Sequence, residues 1–234
     1  MMSALPNDQL QQAREFYRQH LAASFRYSRQ FSQAFGAAAQ DVVDSPQFEA
    51  MVRESAPGSL ECARRVGEMA VVALDRRVAV GAQPSAGPGA WWRDLLNYER
   101  GYFLQVATTA EGPPTNRPRR GVSALCMNFS WNMPEVIERL KQGQAAGDDL
   151  RRPVTILFAR GAGGQVHVVE VGPDVERVFR ATNGLRTLAQ IAAAAGVADS
   201  ETEHILNALA GIGAVVSAMS PEQMTRTIEQ REKR

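Results

Sequence analysis

The chain has 234 residues, 44% of them hydrophobic, enough to bury a sizeable core as one large or two small domains. Its formal net charge of +1 sets up no global field for nucleic acid, an acidic membrane surface or an acidic substrate, so any electrostatic recognition must come from local patches. No apolar run approaches the roughly 18 residues of a membrane span, and MMSALPNDQLQQAREF lacks the basic and apolar regions of a signal peptide. The expected compartment is therefore the cytoplasm, where Cys62 and Cys126, the only cysteines, are expected as free thiols.

In chain order, a first helix is predicted from Asn7 or Asp8, whose short polar side chains can cap, through Leu10, Ala13, Phe16, Tyr17, Leu21, Phe25 and Phe31 at helical spacing. Its arginines, Arg14, Arg18, Arg26 and Arg29, read as a solvated face or as a contact for an acidic partner. Asp44-Ser45-Pro46 opens a second helix through Phe48, Met51 and Val52 that ends before Pro57-Gly58. Residues 62–80 read as a third, with Val66, Met69, Ala70, Val72 and Ala73 facing inward. Residues 81–89 are rich in helix breakers and lead into a fourth, aromatic helix bearing Trp91, Trp92, Tyr98, Tyr102 and Phe103. Large aromatics serve cores and interfaces alike. Adjacent residues of a helix cannot both face one core, so Trp91 and Trp92, with Tyr98, are the candidates for docking a partner.

Residues 111–120, EGPPTNRPRR, carry three prolines and almost no apolar content, which divides the chain into a helical domain 1–110, a linker 111–120 and a second domain 121–234. Arg117, Arg119 and Arg120 of the linker are candidates for an acidic rim on a partner or an acidic peptide, or are a solvated charge run. Strands are predicted at about 121–130, 153–159 and 165–171, with a helix entering at Pro134 and a glycine-rich hairpin turn at 160–164. Three short helices follow. Pro173 sits at the first helical position, Asn183-Gly184 closes that helix, Thr187 with Gln190 and Ser200 with Glu203 have capping-box spacing, and Gly196 stands where a left-handed C-cap is wanted. The third helix runs from about Glu201 to Ile212, and the stretch ending at Val216 closes on a strand; Ser220 to Gln223 begins a polar terminal helix. The fold class is α+β, a helical domain followed by a winged-helix-like unit of small antiparallel sheet and three helices.

A winged helix reads DNA or binds a peptide. For DNA the third helix must carry basic or amide side chains into a groove, yet this one carries Glu201 and Glu203 and no lysine or arginine. For a peptide, a strand edge accepts an added strand beside an apolar groove. The candidate edge is Val166, His167, Val168, Val169, Glu170 and Val171, and the candidate groove Ile205, Leu206 and Leu209. Along that strand 167, 169 and 171 share one face and 166, 168 and 170 the other.

Residues 153–219, with VERVFRATNG-LRTLAQIAAAAG and HILNALAGIGAVV, resemble the precursor-peptide recognition elements of ribosomal-peptide biosynthesis, typified by the pyrroloquinoline quinone peptide chaperone. The resemblance implies capture of a leader peptide as a strand against 165–171, beside the last helix. With its helical first half, its aromatic segment 90–105 and the strand 120–131, nearly the whole chain is similar to the partner subunits of multinuclear non-haem iron-dependent oxidative enzymes, most of all those of 3-thiaglutamate biosynthesis. That similarity implies a non-catalytic subunit forming a heterodimer with the iron enzyme and presenting a carrier peptide for β-carbon excision at a C-terminal cysteine. It implies no cofactor in this chain, the iron belonging to the partner. Consistently, His20, His167 and His204 are scattered with no ligand spacing, and there is no G-x-S-x-G elbow, P-loop or dinucleotide fingerprint. No nucleic acid or membrane partner is expected.

Overall fold

The computed structural model describes residues 7–27, 35–81, 89–109, 112 and 116–216. These form α1 (Asn7–Ser24), α2 (Phe35–Val43), α3 (Pro46–Glu54), α4 (Leu60–Gly81) and α5 (Trp92–Ala107). There follow β1 (Arg119–Arg120), β2 (Leu125–Phe129), α6 (Met133–Lys141), a 3-10 turn at Asp148–Leu150, β3 (Val154–Arg160) and β4 (Val166–Glu170). Helices α7 (Pro173–Ala181), α8 (Leu188–Ala195) and α9 (Asp199–Gly211) lead to β5 (Val215–Val216). Mixed helix and sheet makes this an α+β chain, as expected. Phe31, the 82–88 connector and the helix expected from Ser220 lie outside the described residues.

Local chemistry accounts for most boundaries. The Ser45 hydroxyl accepts the Phe48 amide at 3.1 Å, with Pro46 at the first helical position of α3. At α8 the capping box is complete: the Thr187 hydroxyl accepts from the Gln190 amide and the Gln190 side chain accepts from the Thr187 amide at 3.0 Å. Gly196 ends that helix at φ +64°. Three expectations change. Helix α1 stops at Ser24, whose hydroxyl turns back onto the His20 carbonyl, while Phe25 is still buried. Helix α2 was not anticipated; its core contacts come from Ala38, Ala39, Val42 and Val43 in a nine-residue stretch too short to show a period. Helix α9 starts at Asp199 without a side-chain cap, so Ser200 is not a cap; Asp199 and Glu201 meet the positive end of the helix instead.

The main sheet is antiparallel, ordered β2-β3-β4, so β2 and β4 are its edges. Strand β3 is buried on both faces. Ile156 and Phe158 belong to one apolar cluster with α1–α6, whereas Leu157 and Ala159 belong to a second with α7–α9. On β2, Leu125, Met127 and Phe129 follow the first side and Cys126 the second. The described end of the stretch read as a linker is tied down, together with the residue after it: β1 pairs with β5, the Pro118 carbonyl accepts the Gly184 amide, and the Gly121 amide donates to the Ala214 carbonyl, the last two at 2.9 Å.

Helix α5 meets the sheet at Gly101, where a Cβ would stand 2.8 Å from the Phe158 ring. Phe158 cannot yield, since it is fully buried against Tyr98 and Phe129 at centroid distances of 5.2 and 6.5 Å. Polar clamps hold the same contact: Asp94 accepts the Ser130 amide at 2.7 Å, Gln105 and Ser123 exchange hydrogen bonds, and Arg160 donates to the Thr108 carbonyl at 2.7 Å. Replacing Gly101 with leucine should overpack this contact and lower stability by about 2–3 kcal/mol, against the roughly 1 kcal/mol a glycine usually costs a helix. Gly211→Ala, at an open position, serves as the control. Urea denaturation decides; an unchanged midpoint for Gly101→Leu would show that the contact is not close.

Candidate functional site

Among the described residues, strand β4 is an unpaired edge of its sheet, and the geometry of that edge follows from its register. The Gly161 amide donates to the Gln165 carbonyl at 2.8 Å and the Val171 amide to the Thr155 carbonyl at 2.9 Å, with Ala159 opposite His167 and Leu157 opposite Val169. Residues 165, 167, 169 and 171 therefore spend their backbone groups on β3. In an antiparallel ladder the alternate residues turn both N–H and C=O the other way, so those of Val166, Val168 and Glu170 point outward from the edge. Val169 is 40% exposed, a large apolar side chain left open to solvent.

The two faces of β4 differ. Val168, opposite Phe158, packs against the helical cluster of the first half, and Val171 packs against the cluster of α7–α9. His167 is half-buried over the hairpin turn, its Nε2 3.2 Å from where a Cβ on Gly161 would lie. Glu170 forms an exposed ion pair with Arg152 at 2.9 Å.

The expected groove on α9 is corrected. Ile205, Leu206 and Leu209 are 8, 5 and 3% exposed and form part of the core with Val178, Phe179 and Ile191. A three-helix layer on a narrow sheet needs the apolar stripe of each helix to close its own core, so α9 keeps none for a groove. Its exposed side chains are Asp199, Ser200, Glu201, Glu203, His204, Asn207 and Ala208.

The expected docking residues are not brought together. Trp91 and Trp92 are both buried, because Trp91 stands at the N-cap and only Trp92 has entered the helix, so the rule for adjacent helical residues does not apply. Their indole N–H groups donate in different directions, Trp91 to the Ala146 carbonyl at 3.1 Å and Trp92 to Asp75 at 3.2 Å. Tyr98 packs edge-on to Phe158. Far along the fold, Arg117 donates to the Leu185 carbonyl, Arg119 lies in β1 with its Nε buried, and Arg120 stands 5.8 Å from the Phe179 ring centroid. Val72, expected inside, is 47% exposed on the wall of an open cleft of about 900 Å³ between α2, α3 and α4.

Sequence reading missed a polar group at the end of α1. Glu99 is 1% exposed and accepts the Tyr27 amide at 2.6 Å, with Arg26 4.9 Å from the Tyr27 ring centroid and 5.9 Å from that of Tyr102. The signal was present: Leu95, Glu99 and Phe103 repeat every fourth residue, placing a carboxylate on a core stripe. Neither thiol is an activated nucleophile, since burial pushes Cys62 up and Cys126 to about 11, the latter also under Glu176. Among the described residues no group of three His, Cys, Asp or Glu could hold a metal ion, and no helix is long and apolar enough to cross a membrane. No family model matches the chain, and no curated protein is similar to it.

Burial, with Tyr27 and Glu99 nearby opposing a phenolate, pushes the Tyr98 hydroxyl up to about 12. The folded state thus keeps a proton that the unfolded chain loses near 10, so this stabilisation is complete below pH 10 and is lost as pH rises toward 12. Tyr98→Phe should make stability fall less steeply between pH 10 and 12 in urea titrations; identical slopes would contradict the burial of this hydroxyl.

Proposed function

We propose that the chain is a non-catalytic accessory subunit that captures the leader of a ribosomally made precursor peptide on β4 and presents the peptide to a partner iron-dependent oxidative enzyme. The observation that carries this reading is the outward-facing backbone of Val166, Val168 and Glu170 beside exposed Val169. An extended peptide can pair with that edge through main-chain hydrogen bonds, and its alternate side chains then meet the two different faces of β4. The unit from β2 to β5, with α7–α9, is read as winged-helix-like, and the helical first half as the part that holds the enzyme. Tethering the leader makes delivery of the reactive end nearly intramolecular, which raises its effective concentration without new contacts at the reacting atoms. The chemistry supported, on the resemblance of the sequence, is β-carbon excision at a C-terminal cysteine in 3-thiaglutamate-type biosynthesis. The iron would belong to the partner, and this chain contributes position alone. The rival reading, a winged-helix DNA-binding regulator, requires a basic recognition face, and the exposed face of α9 carries Glu201 and Glu203 instead.

Affinity capture of the full chain from its native lysate, with mass spectrometry of large and peptide-sized species, should recover an iron-binding oxidative enzyme together with a short precursor peptide. Recovery of nucleic acid would turn the reading toward the regulator. Val168→Pro removes an outward amide while leaving the ladder to β3 intact. The variant should retain the enzyme with its iron loaded but lose the peptide and its modification; continued peptide processing would rule β4 out as the capture edge.

A further inference from the structure

A partly open cavity of about 140 Å³ lies where the end of α1, the middle of α5, the last turn of α6 and β4 meet. That is room for roughly four or five waters' share of liquid volume, enough for one short polar side chain. Its wall is rich in donors: the phenols of Tyr27, Tyr98 and Tyr102, the Arg26 guanidinium and the Lys141 ammonium. Among the described residues Glu99 is the one carboxylate lining it, and an oxygen of Glu99 already accepts the Tyr27 amide. Ser24 spends its proton on the His20 carbonyl at 2.8 Å. The wall thus carries two cationic side chains, Lys141 shared with Glu138 outside the cavity, and three phenols against the single carboxylate of Glu99, a donor-rich lining that a ligand with acceptor oxygens and negative charge would complement. The rings of Tyr27 and Tyr102 hold Arg26 in place, and Lys141 stands 6.0 Å from the Tyr27 centroid while pairing at 3.2 Å with Glu138 on the exposed side. High in its titration range, Tyr98 remains a donor.

Val168 of β4 also lines the cavity, and its own N–H and C=O point to the edge without a strand partner among the described residues. A residue of an added strand paired with Val168 places its side chain on the same face, with its Cβ about 5 Å from that of Val168. Whatever side chain pairs there meets the cavity. We propose that this cavity receives an aspartate or glutamate side chain from the residue paired with Val168 when an extended peptide adds to β4. The inference rests on the peptide-capture reading and names the residue class that the edge selects.

Random dodecapeptides displayed on phage and selected against the full chain test both levels. Affinities of the selected peptides are then measured by fluorescence anisotropy on the wild type, on Val168→Pro, and on an Arg26→Gln, Lys141→Gln double variant. Both replaced side chains are exposed, so the double variant should fold normally. The expected peptides share one acidic position. Changing it to the amide should weaken binding by about tenfold or more on the wild type and little on the double variant, as a double-mutant cycle requires of a direct pair. Peptides that depend on the Val168 edge but share no acid, or whose acid matters equally on the double variant, overturn the cavity assignment and leave peptide capture standing. A selection that yields no peptide, or only peptides indifferent to Val168→Pro, overturns peptide capture and the cavity assignment together.

Discussion

The double burial of β3 organises the molecule. A strand with Ile156 and Phe158 on one side and Leu157 and Ala159 on the other can exist only if each face is covered, and it is covered by different helices. On the first side α5 comes close enough that Gly101 has no room for a side chain against Phe158. Around this apolar contact the polar groups of Asp94, Gln105 and Arg160 are satisfied across the same junction, so the approach is fixed by hydrogen bonds as well as by packing. The two apolar clusters therefore meet across this sheet, with β3 at its centre.

Among the described residues, β4 therefore has one side committed to β3 and one side without a strand partner. Its ladder to β3 uses the odd-numbered residues, and the even-numbered ones turn outward. An exposed edge is a liability in most proteins, usually blunted by charge or by covering structure. Here the blunting is modest: Glu170 is tied to Arg152, while Val169 remains open. The same edge also borders two unlike surroundings, the first-half helices beneath Val168 and the α7–α9 layer near Val171. An added strand would be read on both faces, by polar groups below and by apolar ones above.

The buried carboxylate of Glu99 fits this picture. It joins the turn after α1 to α5 through the Tyr27 amide, at the wall of the cavity that the tyrosines and the two cations also line. Burial of a charge in an apolar stripe is costly unless hydrogen bonds and opposite charges surround it. The Tyr27 amide supplies one such hydrogen bond, and the donor-rich wall around it is complementary to a further anion.

Signals that act within a few residues were legible in the sequence. The Thr187 capping box, Pro46 and Pro173 at first helical positions, the left-handed Gly196, the hairpin between β3 and β4 and the α+β class all follow from backbone chemistry that neighbouring side chains supply. The alternation of β4 was legible too, because strand geometry has a period of two whatever surrounds it. Only the tertiary structure decided which apolar residues are used inside. Ile205, Leu206 and Leu209 looked like a groove and Trp91 and Trp92 like a surface, yet each is buried, since apolar patterning marks a face without naming what covers it. The outward side of β4 depends on its pairing with β3, and the cavity at Glu99 joins residues from α1, α5, α6 and β4. Such sites depend on chain segments far apart in sequence, so no local pattern could place them.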